Sequence, residues 1–184
     1  MNISIDSLKL CQIYLSQKKI DDILIWFQPS MKSFEPIYVH DFMKNGNFHI
    51  TDGHTRTFIA WKCGIKQIPY IYDESEIVTS EMGQIQYEED IAWCNRFNLH
   101  HISDLADRIL PEQDYNNLWR GRCDKMYDLK IALFEKTIEM GEYNLKKDKL
   151  AKNSLFVYGL SEDHKILYYE NCAGDLFEAP YNSV

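Results

Sequence analysis

The stretch Phe48-His49-Ile50-Thr51-Asp52-Gly53-His54-Thr55-Arg56 constrains this chain more than any other, because one turn joins two kinds of local order. Before Asp52 runs a short strand-like segment. After it, Thr57 to Cys63 carries Phe58, Ile59 and Trp61 in a helical pattern, and Gly64 supplies a stop. A strand that turns sharply into a helix leaves the first backbone N–H groups of the helix without intrahelical acceptors. The helix dipole adds partial positive charge at that end, which suits a phosphate or a carboxylate. Gly53 lets backbone approach a ligand closely, and Arg56 offers paired N–H donors to an anion. These residues describe an anion site, with a nucleotide phosphate as its natural occupant. The plainer reading stands beside it: Asp is a common N-cap and Gly a common turn residue, and Arg56 could simply pair with a surface carboxylate.

Around this turn the pattern is mixed. Ile3 to Leu10 reads as a first strand, and Lys18 to Phe27 places Ile20, Ile23, Leu24 and Phe27 on one helical face, ended by Pro29. Ile37 to Phe42 and Phe48 to Thr51 read as strands joined through Asn45-Gly46, a hairpin signal. Ile68 to Tyr72 is the last strand of the group. The β-α-β-β-α-β order predicts an α+β domain over residues 1–78.

From residue 79 the periodicity is helical. Tyr87, Ile91 and Cys94 share a face within 85–97, with Trp93 and Phe97 beside it. Ser103 is placed to cap a short helix ending near Leu110, and Pro111 suits the first turn of the next. Tyr115, Trp119, Met126, Leu129, Leu133 and Ile138 predict a long helix that stops near Gly141. Aromatic stripes of this kind are packing surface before they are ligand pocket. Leu155–Tyr158, Ile166–Tyr169 and Leu176–Ala179 return to strand, a meander too small to be stable alone. Residues 79–184 thus read as a helical extension with a C-terminal β-meander.

Pro36-Ile37-Tyr38-Val39, then Ile50 to Arg56, then Gly64-Ile65 and Ile68-Pro69-Tyr70 together resemble the core of the ParB/sulfiredoxin superfamily. The resemblance covers about the first 75 residues and implies a ParB/sulfiredoxin-like nucleotide-binding domain. Sulfiredoxin carries a catalytic Cys in its "GCHR" turn, where this chain has Gly53-His54-Thr55-Arg56, so sulfinic-acid reduction is not implied. ParB proteins use a "GERR"-like turn for CTP and follow it with a DNA-binding helix-turn-helix; here the second basic residue is missing and nothing downstream looks like a nucleic-acid domain. The Asp-Gly-His-Thr-Arg form looks closest to the branch that includes ADP- or ATP-dependent free serine kinases. That branch uses a Glu near the start of its first helix as general base; Gln17 stands in the matching region, and a Gln cannot accept a proton at neutral pH.

The resemblance implies Gly53, His54, Thr55 and Arg56 around the phosphates of ATP or ADP, with CTP as a further candidate. Asp52 has two readings, helix cap or ligand of a phosphate-bridging Mg2+. His54 would neutralise developing charge, position a substrate hydroxyl, or make a structural hydrogen bond. Gln17 would orient a substrate. The expected activity is phosphoryl transfer to a small hydroxylated metabolite such as a free amino acid. The alternative is a non-catalytic nucleotide-sensing or protein-interaction module.

Composition removes other classes. An apolar content of 45 %, with 12 Tyr, 9 Phe and 4 Trp among 184 residues, is ample for a buried core. No run of 18 or more apolar residues exists and no signal-like segment opens the chain, so a cytoplasmic protein without a membrane span is expected. Five scattered cysteines form no Cys-x-x-Cys and lie at no zinc spacing, which reads as free thiols and no protein-built metal site. His100-His101 reads as a loop or helix-start pair. Residues 1–80 hold 8 Lys and Arg against 9 Asp and Glu, and residues 81–184 hold 12 against 19, so no basic face for DNA is expected.

Overall fold

The turn at Asp52 is mounted on a four-stranded mixed sheet. Strands β1 (Asn2–Ser4), β3 (Ile37–His40), β4 (His49–Asp52) and β5 (Gln67–Tyr72) lie in the order β1-β5-β3-β4. β1 runs antiparallel to β5, β5 parallel to β3, and β3 antiparallel to β4. This computed structural model describes residues 1–27, 35–121, 123 and 124, together with the backbone of the strands 155–160, 166–171 and 176–180.

The strand expected over Ile3–Leu10 is divided in two. β1 pairs through Ile3 with Ile68, a 3-10 turn follows at Ile5–Ser7, and the chain reaches the opposite edge of the sheet at Lys9. There Lys9 N–H donates to Phe48 O (2.9 Å) and Ile50 N–H donates to Lys9 O (3.0 Å). The first ten residues thus supply one edge strand and run beside the other, β4, where Lys9 satisfies backbone groups that would otherwise be exposed.

Helix α1 (Gln17–Trp26) starts at Ser16, whose hydroxyl accepts the Lys19 N–H at 3.2 Å. Of its expected buried face, Ile20 and Phe27 are buried, Ile23 is half-buried and Leu24 is exposed. Helix α2 (His54–Lys62) buries Phe58, Ile59 and Ala60. Its C-terminus is closed by Gly64 at φ +75°, with Ile65 N–H on Ala60 O and Gly64 N–H on Trp61 O, a Schellman arrangement. Ile37, Val39, Ile50 and Ile68 from the sheet, with Leu8, Ile13, Leu15, Phe58 and Leu105, form the fully buried core.

Downstream, α3 (Glu76–Thr79) leads into α4 (Glu81–Arg96), capped by the Ser80 hydroxyl on Gly83 N–H. The short helix expected from Ser103 is a single 3-10 turn at Ile102–Leu105, started by the Asp104 carboxylate accepting the N–H groups of His100 and His101. Strand β6 (Ile109–Leu110) follows and pairs in parallel with β2 (Leu15–Ser16). Arg108 explains the difference. Its Nε donates to Ile13 O (2.7 Å) and its guanidinium lies over the Tyr14 and Phe97 rings, long-range contacts that override local helical preference.

The chain divides into two compact units, Met1–Tyr115 and Asn116–Val184. The boundary expected near residue 78 therefore falls inside the first unit, because 79–115 adds helices and a strand, with α5 (Glu112–Tyr115), to the N-terminal α+β core. In the second unit a π-helical turn spans Asn116–Arg120, and β7 (Leu155–Leu160), β8 (Ile166–Asn171) and β9 (Leu176–Pro180) form an antiparallel meander. Most of the expected long helix, from Met126 to Ile138, lies outside the described residues. Among the described residues no helix is long and apolar enough to cross a membrane.

Candidate functional site

β4 ends at Asp52, and Gly53 forms the N-cap of α2 with φ +105°. A Cβ added there would lie 2.6 Å from Ile37 Cγ2, a fully buried side chain, and 3.2 Å from Arg56 Nη2. Only glycine fits this close approach of turn, strand and arginine. Gly53 brings no side chain to cap the helix, so the first-turn N–H groups of α2 are not spent on a capping residue. Its carbonyl anchors the turn by accepting both the N–H and the hydroxyl of Thr57.

A cleft of about 420 Å³ opens over this helix start, within the size range of small-molecule sites. Residues 51–56 form one side, and α1 contributes Lys19, Asp22, Ile23 and Trp26; Gln12 and Glu35 complete it. The Arg56 side chain is 15 % exposed, with Nη2 bonded to the Asp52 carboxylate and Nη1 3.1 Å from Glu35 Oε2. Two cations, Lys19 and Arg56, thus face three carboxylates, Asp22, Glu35 and Asp52. An anion entering the cleft must draw Arg56 away from its carboxylates or arrive with a cation of its own. Thr51 braces the floor by donating to Asp73 Oδ2 at 2.6 Å. Burial works against the Asp73 charge, but the hydrogen bonds from Thr51 and Ser75 outweigh it and hold that carboxyl below its ordinary range.

The His54 ring is buried and its Nε2 accepts the Cys11 N–H at 3.2 Å. Burial pushes its pKa down to about 3, and the charges of Lys19 and His49 add to that. The ring is therefore neutral and ties the N-terminal segment to the start of α2. Of the roles expected for His54, the geometry supplies the structural hydrogen bond; its contribution to an anion would be its backbone N–H. Thr55 is buried one residue further on.

Gln17 is not among the residues lining the cleft. Its Nε2 donates to Asp21 Oδ1 (2.7 Å) on the exposed side of α1. The carboxylate that α1 brings to the cleft is Asp22, whose Oδ2 is held by Lys18 Nζ at 2.7 Å. Lys19, Asp22, Ile23 and Trp26 follow helical spacing, a signal present in the sequence but masked there by the more apolar face through Ile20 and Phe27. Asp52 precedes the N-cap and pairs with Arg56. Among the described residues no three His, Cys, Asp or Glu side chains gather as a metal site. A magnesium ion here would rest chiefly on phosphate oxygens, with one or two carboxylates. None of Cys11, Cys63, Cys94 and Cys123 is in a disulfide.

No family model matches this chain, and no curated protein matches it.

Proposed function

We propose that this protein binds a nucleotide through a ParB/sulfiredoxin-like domain and transfers a phosphoryl group to a small hydroxylated metabolite such as a free amino acid. The observation that carries the reading is the start of α2, where Gly53, His54, Thr55 and Arg56 border a cleft of about 420 Å³. The fold assignment draws support from the strand-turn-helix unit β4–Gly53–α2 leading to Ile68-Pro69-Tyr70 in β5. First-turn N–H groups would hold phosphate oxygens, and Arg56 and Lys19 would bind them by charge. The nucleotide is ATP or ADP, with CTP as the competitor to be tested, and Mg2+ would offset charge that three carboxylates otherwise repel.

Asp22, rather than Gln17, takes the general-base role that the free serine kinase branch gives to a Glu near the start of its first helix. The substrate hydroxyl oxygen attacks the terminal phosphorus, its proton passes to the Asp22 carboxylate, and the bond to the bridging oxygen breaks, releasing the shortened nucleotide. A second reading is a nucleotide-sensing module without turnover. It is favoured by one observation: Lys18 already occupies an oxygen of Asp22.

Calorimetry of the full chain with MgATP, MgADP and MgCTP tests binding, and nucleotide consumption across a panel of hydroxylated amino acids tests transfer. Arg56→Ala should cost roughly 2–4 kcal/mol of transition-state stabilisation. Asp22→Asn should retain binding and lower turnover by a factor of about 10²–10⁴. No nucleotide binding by the parent protein refutes both readings, and binding without turnover leaves the sensor.

A further inference from the structure

The cleft is unlike at its two ends. Lys19 and Trp26 stand seven residues apart on the same side of α1, about 10 Å along its axis at 1.5 Å per residue. Lys19, on the first turn of α1, lines the cleft together with Gln12 and His54, and its ammonium lies 5.4 Å from the centre of the Tyr115 ring. Trp26 is the last residue of α1 and lines the same cleft, with Ile23 one turn before it. Trp26 is 45 % exposed, whereas the next residue, Phe27, is buried. The cleft therefore pairs a charged end with a large, solvent-facing aromatic surface.

Resting on the nucleotide reading above, we infer that Trp26 is the base-stacking residue of this cleft. The nucleobase lies on the indole face with Ile23 beside it, while the phosphates reach toward Lys19 and the start of α2. A ring of this kind binds by its π-face, which every base possesses, so stacking supplies affinity with little choice among bases. The arrangement also answers the charge balance of the cleft. With three carboxylates opposing two cations, phosphate contacts alone are a weak anchor, and an uncharged contact at the far end adds affinity without electrostatic cost.

The experiment compares MgATP, MgCTP and magnesium tripolyphosphate, which carries the phosphate chain without a base, by calorimetry on the full chain. Parent protein should bind both nucleotides more tightly than tripolyphosphate, with quenching of tryptophan fluorescence by nucleotide only. Trp26→Ala should weaken nucleotide binding about 5- to 160-fold, the range expected of one stacked base, and leave tripolyphosphate affinity unchanged. Trp26→Phe, which keeps a ring, should fall between. Three results overturn the assignment while leaving an anion cleft: equal affinity of parent for nucleotide and tripolyphosphate, no effect of Trp26→Ala on nucleotide, or equal weakening of both ligands by that change. Failure of the parent to bind either ligand removes the nucleotide reading itself, and this assignment with it.

Discussion

Replacing Gly53 by alanine tests the foundation of the site. The backbone there holds φ at +105°, which an L side chain rarely adopts, and such strain costs of order 1–3 kcal/mol. The new Cβ would also meet Ile37 Cγ2 at 2.6 Å, and Ile37 is fully buried on the central strand β3, where it has no room to yield. Overpacking of a tight core adds about 1–3 kcal/mol. The combined loss should be about 2–6 kcal/mol, or a fall in Tm of roughly 4–24 °C for a chain of this length. Gly64→Ala is the matched control. It shares a positive φ (+75°) but meets nothing within 4 Å, so only the conformational cost of about 1–2 kcal/mol applies. Ile37→Ala should partly relieve Gly53→Ala, with a coupling of about 1–3 kcal/mol in a double-mutant cycle. Denaturant and thermal melts followed by tryptophan fluorescence read the parent and the four variants, the double variant included. Equal losses for Gly53→Ala and Gly64→Ala, with no coupling to Ile37, would refute the close approach of turn and strand.

Glu35→Gln removes one competitor for Arg56 and should raise nucleotide affinity by up to about fivefold, the scale of an exposed ion pair; titration at low and high salt checks it, and a loss of affinity would mean that Glu35 serves the ligand. His54, lowered to about 3 when folded from an ordinary 6.5, favours the unfolded chain whenever protons bind. Its stabilising contribution is complete above pH 6.5 and is lost as pH falls toward 3, by at most about 1.4 kcal/mol per pH unit. His54→Gln should flatten that part of the stability profile in urea melts between pH 7 and 4, and parallel profiles would contradict the buried neutral ring. With a formal net charge of −8, duplex DNA should show no salt-sensitive binding in anisotropy titrations, and micromolar affinity with a steep salt slope would reveal a basic surface.

Local chemistry made some of this legible in the sequence. Gly53 between a strand and a helical pattern is a one-residue signal, since only glycine combines positive φ with the absence of a Cβ, and the turn appears where that signal puts it. The strand read from Ile37 onward, which ends at His40 rather than Phe42, and the Gly64 stop worked for the same reason: each depends on neighbours a few residues away.

What tertiary structure alone decided depends on partners distant in the chain. Leu15 and Ser16 form a strand only because Ile109 and Leu110 lie beside them, and Arg108 turns an expected helix into that strand by reaching Ile13, Tyr14 and Phe97. The same holds at the site. A family-like turn pointed to Gln17, but the rotation of α1 about its axis selects which of its side chains meet the cleft. Ile20 and Phe27 are fixed in the core, and their spacing turns Lys19, Asp22, Ile23 and Trp26 toward the cleft while Gln17 reaches Asp21. Sequence spacing states which residues share a helix face; packing against α2 and β2 decides which face looks into the cleft.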